Sequence, residues 1–418
     1  MIKSSFFQDH SQNFWQLGSI QTASVGFTGL VLGGQLSTQF GAPTALLSIA
    51  VGNLILWVVG MAIISMSVSK RNNAIENFSK YFGQTSGVLA SIILIVAFIL
   101  WYVLQIELAT TAFDNIYQSY TDSTNSPFAT GIGLGIFVAL LSVGGIRFIK
   151  WICAIGFLFL LCFAIYVFVY FEGIPSFQGN WGLSASAVST TIAATLVGMI
   201  NLPTFFKHSR SKSDSFLGLT FMTIFTTALQ SSSVWLRYDL ISANLIKFMQ
   251  SGFNFYFITF FIFTSLICIN IVNIYFASAG AETIMSRIIK RPIPRYLEYV
   301  GIGLVGTVIY VCTGVSAPLL ILVNLAADFL ASLGITLVLA FLVSIVIKHR
   351  MRPLEQSINN GCWFIGCLVS LIMQIHNPQD TSSPFIWGIA SSVCAFLIAA
   401  FIAETTWSLR EIRAKKTV

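Results

Sequence analysis

Twelve runs of mostly apolar residues, each close to or above the length a bilayer demands, occupy almost the whole of this 418-residue chain. A hydrocarbon core about 30 Å thick takes roughly 20 apolar residues in helical form. Backbone polar groups in lipid must be satisfied within the segment, so the pattern predicts an all-α polytopic membrane protein. The spans fall at about 17–40, 44–68, 87–112, 128–145, 149–171, 185–205, 217–237, 254–279, 299–315, 318–347, 358–374 and 385–406. Hydrophobic residues make up 56% of the chain and charged residues 9%, against about 25% charged in a soluble domain. The excess apolar surface faces lipid.

The net charge of +7 would suit a polyanion partner only if it were clustered. If twelve helices alternate, 20 of the 22 Lys and Arg residues lie on one face, and only Arg237 and Lys247 lie on the other. The positive-inside rule puts that face, with both termini, in the cytoplasm of a cell (inner) membrane, and no nucleic acid is expected as a partner. The start, Met1 to Gly18, lacks the order of a signal peptide, so the first span is expected to act as its own uncleaved insertion signal. The seven cysteines lie in apolar segments without paired spacing, and the four histidines lie in loops or termini. No metal site, cofactor or catalytic residue is expected, and no enzyme activity.

Two spans are built to break. The first holds Gly26, Gly29, Gly33 and Gly34, followed by Gln35; the sixth runs from Thr195 through Gly198 and Asn201 to Pro203. Glycine holds a helix poorly and proline cannot donate the i to i−4 bond. Taken alone, such residues more often serve close helix packing. Their placement in the first and sixth spans is what two five-span repeats require, with substrate at the midplane between interrupted helices. The expected units are residues 1–16, a first repeat at 17–171, a second at 185–347, accessory helices at 358–406 and a cytoplasmic end at 407–418.

In the third span Trp101 and Gln105 lie one turn apart, an indole beside an amide. Such a pair can stack a planar heterocycle and read its edge, or be ordinary interhelical packing. Around them run Val51-Gly52-Asn53-Leu54-Ile55-Leu56, Asn77-Phe78-Ser79-Lys80-Tyr81-Phe82-Gly83, Leu202-Pro203-Thr204-Phe205-Phe206-Lys207-His208-Ser209-Arg210-Ser211 and Asn270-Ile271-Val272-Asn273-Ile274-Tyr275. In order and spacing these resemble the nucleobase–cation symporter-1 family of cytosine permease and hydantoin transporter, over roughly residues 20 to 350. The resemblance implies a LeuT-type fold of 12 transmembrane helices, a 5+5 inverted repeat plus two accessory helices. It implies Trp101 as stacking platform, Gln105 as edge reader, Asn270 or Asn273 as the amide from helix eight, and backbone around Gly29 and Gly33 opposite. Gln35, Thr195 and Gly198 complete the expected binding set.

The chain departs from the family at three places. Thr195 stands where a second aromatic often sits, and Thr204 replaces an acid. Cys268 and Ile269 stand where sodium-coupled members have Ser and Thr, so the sodium site looks incomplete. That turns attention to Glu107, Asp328 and Glu404. An ionised acid in a span needs water, a helix N-terminus or a polar partner. Asp328 is the candidate for proton coupling. Glu107, about 200° around the helix from Gln105, is an outer-end structural or gating acid, and Glu404 is interfacial. The expected function is uptake of a nucleobase-like ring such as cytosine by alternating access, coupled to H+ or Na+ with H+ favoured. An amino-acid or amine transporter on the same fold, or a channel or receptor, are the alternatives.

Overall fold

The structure, a computed structural model, describes residues 12–68, 70–121, 127–170, 181–234, 252–288, 294–313, 317–346, 352–377 and 382–416. Fourteen helices are found among them: α1 (Phe14–Phe40), α2 (Ala42–Val68), α3 (Ala74–Phe82), α4 (Gln84–Thr121), α5 (Pro127–Ser142), α6 (Gly145–Tyr170) and α7 (Ala185–Ile200), then α8 (Pro203–Phe206), α9 (Lys212–Val234), α10 (Gly252–Ile288), α11 (Arg295–Thr313), α12 (Ala317–Val346), α13 (Arg352–His376) and α14 (Ser382–Lys416). Nine helices among the described residues are long and apolar enough to cross a membrane, and α5 is a shorter apolar helix. The first and seventh expected spans, α1 and α9, are 27 and 23 residues long but diluted by Gly, Ser, Thr and Gln. Arg237 and Lys247 lie outside the described residues, and so does the side chain of Glu404.

Helix packing repeats itself in two halves. α1 packs on α9 as α7 packs on α2; α1 on α6 as α7 on α12; α6 on α10 as α12 on α4; and α5 on α10 as α11 on α4. Exchanging α1, α2, α4, α5 and α6 for α7, α9, α10, α11 and α12 maps each of these pairs onto another. The α4–α10 and α5–α11 pairs map onto themselves and lie across the symmetry axis. α13 and α14 pack on each other and on α12, outside this scheme. This is the 5+5 fold with two accessory helices.

Both expected interruptions exist, at narrower places than the glycine run suggested. Within α1 only Gly26 leaves helical geometry, at φ 33° and ψ −128°, while Gly29, Gly33 and Gly34 stay helical. Carbonyls beside the kink are taken up by hydroxyls on the same helix: Ser24 Oγ donates to Gln21 O and Thr28 Oγ1 to Val25 O, both at 2.7 Å. Such side chains make a broken helix tolerable at membrane depth. α7 ends at Ile200, Asn201 and Leu202 form a turn, and Pro203 opens the one-turn α8. The segment before α1 is pinned to the segment after α8 by a parallel bridge. Gln12 N donates to His208 O and Arg210 N to Gln12 O, each at 2.8 Å.

The stretch between the second and third expected spans, read as a charged loop, contains α3. Its start is a capping box in which Asn73 and Glu76 exchange side-chain and backbone bonds, and Ala74, Ile75, Phe78, Tyr81 and Phe82 form its buried face. Its C-terminal carbonyls are satisfied by amides of α13. Asn359 Nδ2 donates to Tyr81 O at 2.8 Å and Asn360 Nδ2 to Phe82 O at 2.9 Å. Asn359→Ala leaves a buried carbonyl without its donor, at a cost of about 1–3 kcal/mol. The expected result is a lower melting temperature of the purified protein. α13 begins before residue 358 and α14 runs past 406. Apolarity marks where lipid ends, whereas Glu, Arg, Lys, Leu and Ala carry a helix beyond it.

Candidate functional site

A cavity of about 350 Å³ lies between the two interrupted helices, walled by α1, α2, α4, α7, α9, α10 and α12, with Phe385 of α14 at its rim. At the end where α1 finishes, Gln35 is exposed and Thr190 and Asn324 are partly so. At the other end Gln21, Met199, Leu202, Met222 and Phe276 are buried. That end is closed by an aromatic stack. Phe98 and Phe276 have ring centroids 4.8 Å apart, Phe276 meets Phe205 edge-on at 5.0 Å, and Phe205 stacks on Tyr275 at 4.7 Å. Phe205 stands there because Pro203 starts α8 just past the α7 break.

The polar lining has a definite sign. Ser189, Thr190, Thr195 and Thr223 each spend their hydroxyl proton on a carbonyl four residues back, so they face the cavity as acceptors. Among the described residues, four that line the cavity keep a buried polar atom without a partner: Gln21 Nε2, Thr226 Oγ1, Gln230 Nε2 and Asp328 Oδ2. Buried polar atoms are nearly always paired in native proteins, so each of these is a group that a ligand, an ion or an ordered water would pair.

Of the residues singled out from sequence, Trp101, Gly29, Gln35, Thr195, Gly198, Asn273 and Asp328 line the cavity. A Cβ on Gly198 would meet nothing within 4 Å, so the wall there is open space. Gln105, Gly33, Asn270 and Glu107 do not line it. α4 presents Phe98, Trp101 and Leu104, and Gln105 falls just off that face, buried with Nε2 unpaired. A Cβ on Gly33 would overlap the Gln230 carbonyl and the Ser233 hydroxyl, which makes it a packing glycine against α9. Asn270 is fully buried behind Asn273, whose Nδ2 donates to its Oδ1 at 3.4 Å. Glu107 is half-buried away from the cavity, its carbonyl accepting from Thr110.

Asp328 is 3% exposed, and no ion pair to it exists among the described residues. Near the α1 kink, a Cβ on Gly26 would overlap Ser265 Oγ of α10, whereas Cys268 turns to α6, against Gly156 and the carbonyl of Ile152. The α10 hydroxyl that meets the kink is therefore Ser265, beside Thr264, one turn before the positions compared in the sequence.

Sequence reasoning missed Gln21, Asn53, Thr226 and Gln230 as cavity residues, and missed Phe98 and Phe276 as its aromatic floor. Spacing held a signal for α9, since Thr223, Thr226 and Gln230 recur every three or four residues along one face.

No protein-family model and no curated protein sequence matches the chain. Solved structures do match it in fold. Mhp1, a nucleobase-cation-symport-1 family transporter, in a closed conformation with bromovinylhydantoin bound, superposes with a TM-score of 0.70 at 15% identity, covering 95% of this chain and 94% of that one. A Na+-coupled sialic acid symporter in a substrate-bound outward-open state gives 0.70 at 14% identity, over 94% and 90%. MhsT in complex with L-phenylalanine gives 0.60 at 12% identity, over 94% and 98%. At these identities what is shared is the fold, and it is the LeuT-type fold that the resemblance implied.

Proposed function

We propose that this chain is a secondary active transporter that moves a small planar heterocycle, cytosine or a related nucleobase first, across a cell membrane by cation-coupled alternating access. The observation that carries the reading is the cavity between the kink at Gly26 and the break at Asn201, closed at its Phe205–Phe276 end. It has Trp101 and Phe98 on one wall and unpaired amide and carboxyl groups on the others. An indole face offers a ring dispersion and stacking, and the polar groups fix its orientation. The positive-inside pattern orients the sealed Phe205–Phe276 end toward the cytoplasm and the Gln35 end outward. Substrate enters past Gln35 and Asn324, settles on Trp101, and leaves when the aromatic floor parts.

Asp328 is the coupling group in this reading. A carboxyl in the cavity wall with no cationic partner is costly to leave charged, so loading a proton with the substrate favours the occluded state. Sodium is the second reading, supported by the Ser265 hydroxyl beside the α1 kink, since a hard cation is held by hydroxyl and carbonyl oxygens. The repeat boundaries at 17–171 and 185–347 belong to the same proposal.

Uptake of radiolabelled cytosine, uracil, hydantoin and amino acids by the same cells tests the reading, with Trp101→Ala as control. Accumulation of bases, lowered about 10-fold or more in initial rate by Trp101→Ala, is expected from the loss of roughly 1–3 kcal/mol of stacking. Accumulation of amino acids and not of bases would transfer the site to the amine or amino-acid class.

A further inference from the structure

Gln230 of α9 and Asn53 of α2 form a carboxamide pair buried in the cavity wall. Gln230 is 0% and Asn53 3% exposed, and Asn53 Nδ2 donates to Gln230 Oε1 at 2.7 Å. Both residues line the cavity, and Gln230 Nε2 has no partner. Two carboxamides joined by a single N–H···O bond still hold an unused donor on one side chain and a carbonyl with acceptor capacity on the other. Exchanging O and N in both amides reverses the joining bond and leaves the same composition, one unused donor and one acceptor. A Cβ on Gly33 of α1 would overlap the main-chain carbonyl of Gln230, and a Cβ on Gly29 would touch its Cγ, so α1 packs directly against this residue.

The surrounding chemistry decides what the pair is for. The hydroxyls of Thr195 and Thr223 are committed to their own helices and present acceptors only. Thr226 Oγ1 apart, a ligand carbonyl therefore finds its donors on amides, and a ring N–H beside it needs an acceptor at the same place. We propose that Asn53 and Gln230 are a specificity-determining pair that reads a cis lactam edge, a ring N–H next to C=O, on the transported heterocycle. The substrate class this names is the oxo-heterocycles: pyrimidinones, hydantoins and 6-oxopurines. The inference rests on the transport reading above and adds a second recognition wall, on α2 and α9, to the Trp101 wall.

The test is ligand binding to the purified full-length protein, with each heterocycle paired with its N-methyl analogue: uracil with 1,3-dimethyluracil, cytosine with 1-methylcytosine, hydantoin with 1,3-dimethylhydantoin. Wild type is expected to prefer the unmethylated member by about 10-fold or more, as sites built to hydrogen-bond a group reject analogues lacking it. Gln230→Met keeps length and shape without the hydrogen bonds, and it should bring the ratio to near one by weakening the unmethylated member alone. A preference caused by methyl bulk would persist in Gln230→Met, and that result overturns the proposal. Equal loss of both members at an unchanged melting temperature also overturns it. Should Gln230→Met melt too low to assay, Asn53→Ser, which keeps a hydroxyl for Gln230, gives the same readout. If wild type binds heterocycles with a ratio already near one, the pair assignment alone falls. If wild type binds no heterocycle, the transport reading falls and takes the pair with it.

Discussion

Gly26→Ala is expected to abolish transport and to lower the melting temperature of the purified protein. Two independent costs act at this position. The backbone sits at φ 33° and ψ −128°, a region that side chains with a Cβ rarely adopt and that costs of order 1–3 kcal/mol to impose. The new Cβ would also overlap Ser265 Oγ on α10, and overpacking of this kind costs typically 1–3 kcal/mol more. The cheapest escape is for α1 to straighten or pull away from α10, and either removes the bend that one side of the cavity is built on. Gly41→Ala separates the two costs. Gly41 also has positive φ, 81°, but nothing lies within 4 Å of its Cβ site. It should lose some stability and keep uptake. Ser265→Ala combined with Gly26→Ala relieves the overlap but not the strain, so it should recover stability only in part. Wild-type uptake by the Gly26→Ala protein would show that the kink is not needed for transport.

Asp328→Asn is expected to separate exchange from accumulation. Moving one elementary charge through 100 mV is worth about 2.3 kcal/mol, roughly a 50-fold gradient. A transporter that carries one proton per substrate through Asp328 therefore concentrates substrate tens-fold at ordinary potentials. Asparagine keeps the size and polarity of the site but binds no proton. The variant should exchange internal for external substrate at near wild-type rates, with an accumulation ratio near one that an uncoupler no longer changes. Uptake by wild type should survive replacement of sodium in the medium. Accumulation by Asp328→Asn equal to wild type would remove Asp328 from the mechanism. Full dependence on sodium would move the coupling to Ser265.

Helical class, the paired interruptions and the accessory helices are legible in the chain because each rests on a local rule. Lipid imposes a length and an apolarity, and Gly and Pro punctuate. α3 escaped notice because Lys70, Arg71 and Lys80 mark its surroundings as a charged loop, although Asn73 and Glu76 spell a helix start. At the site, Trp101 and Asp328 stood out as rare groups in apolar spans, whereas facing partners did not. Asn53 and Gln230 are 177 positions apart, and their hydrogen bond exists only once α2 and α9 pack. Gly33 and Gly29 look alike in sequence, yet only Gly29 reaches the cavity, because rotation about the α1 axis turns Gly33 into α9.

The bridge between Gln12 and the strand-like stretch at His208 to Arg210 yokes the lower arms of the two interrupted helices. Any swing that uncovers the cavity on that side must carry both arms together as one hinged leaf, or tear main-chain bonds that no exchange of side chains can replace. The bend at Gly26 and the turn at Asn201 would then be two pins of a single hinge, and stiffening either one should immobilise both.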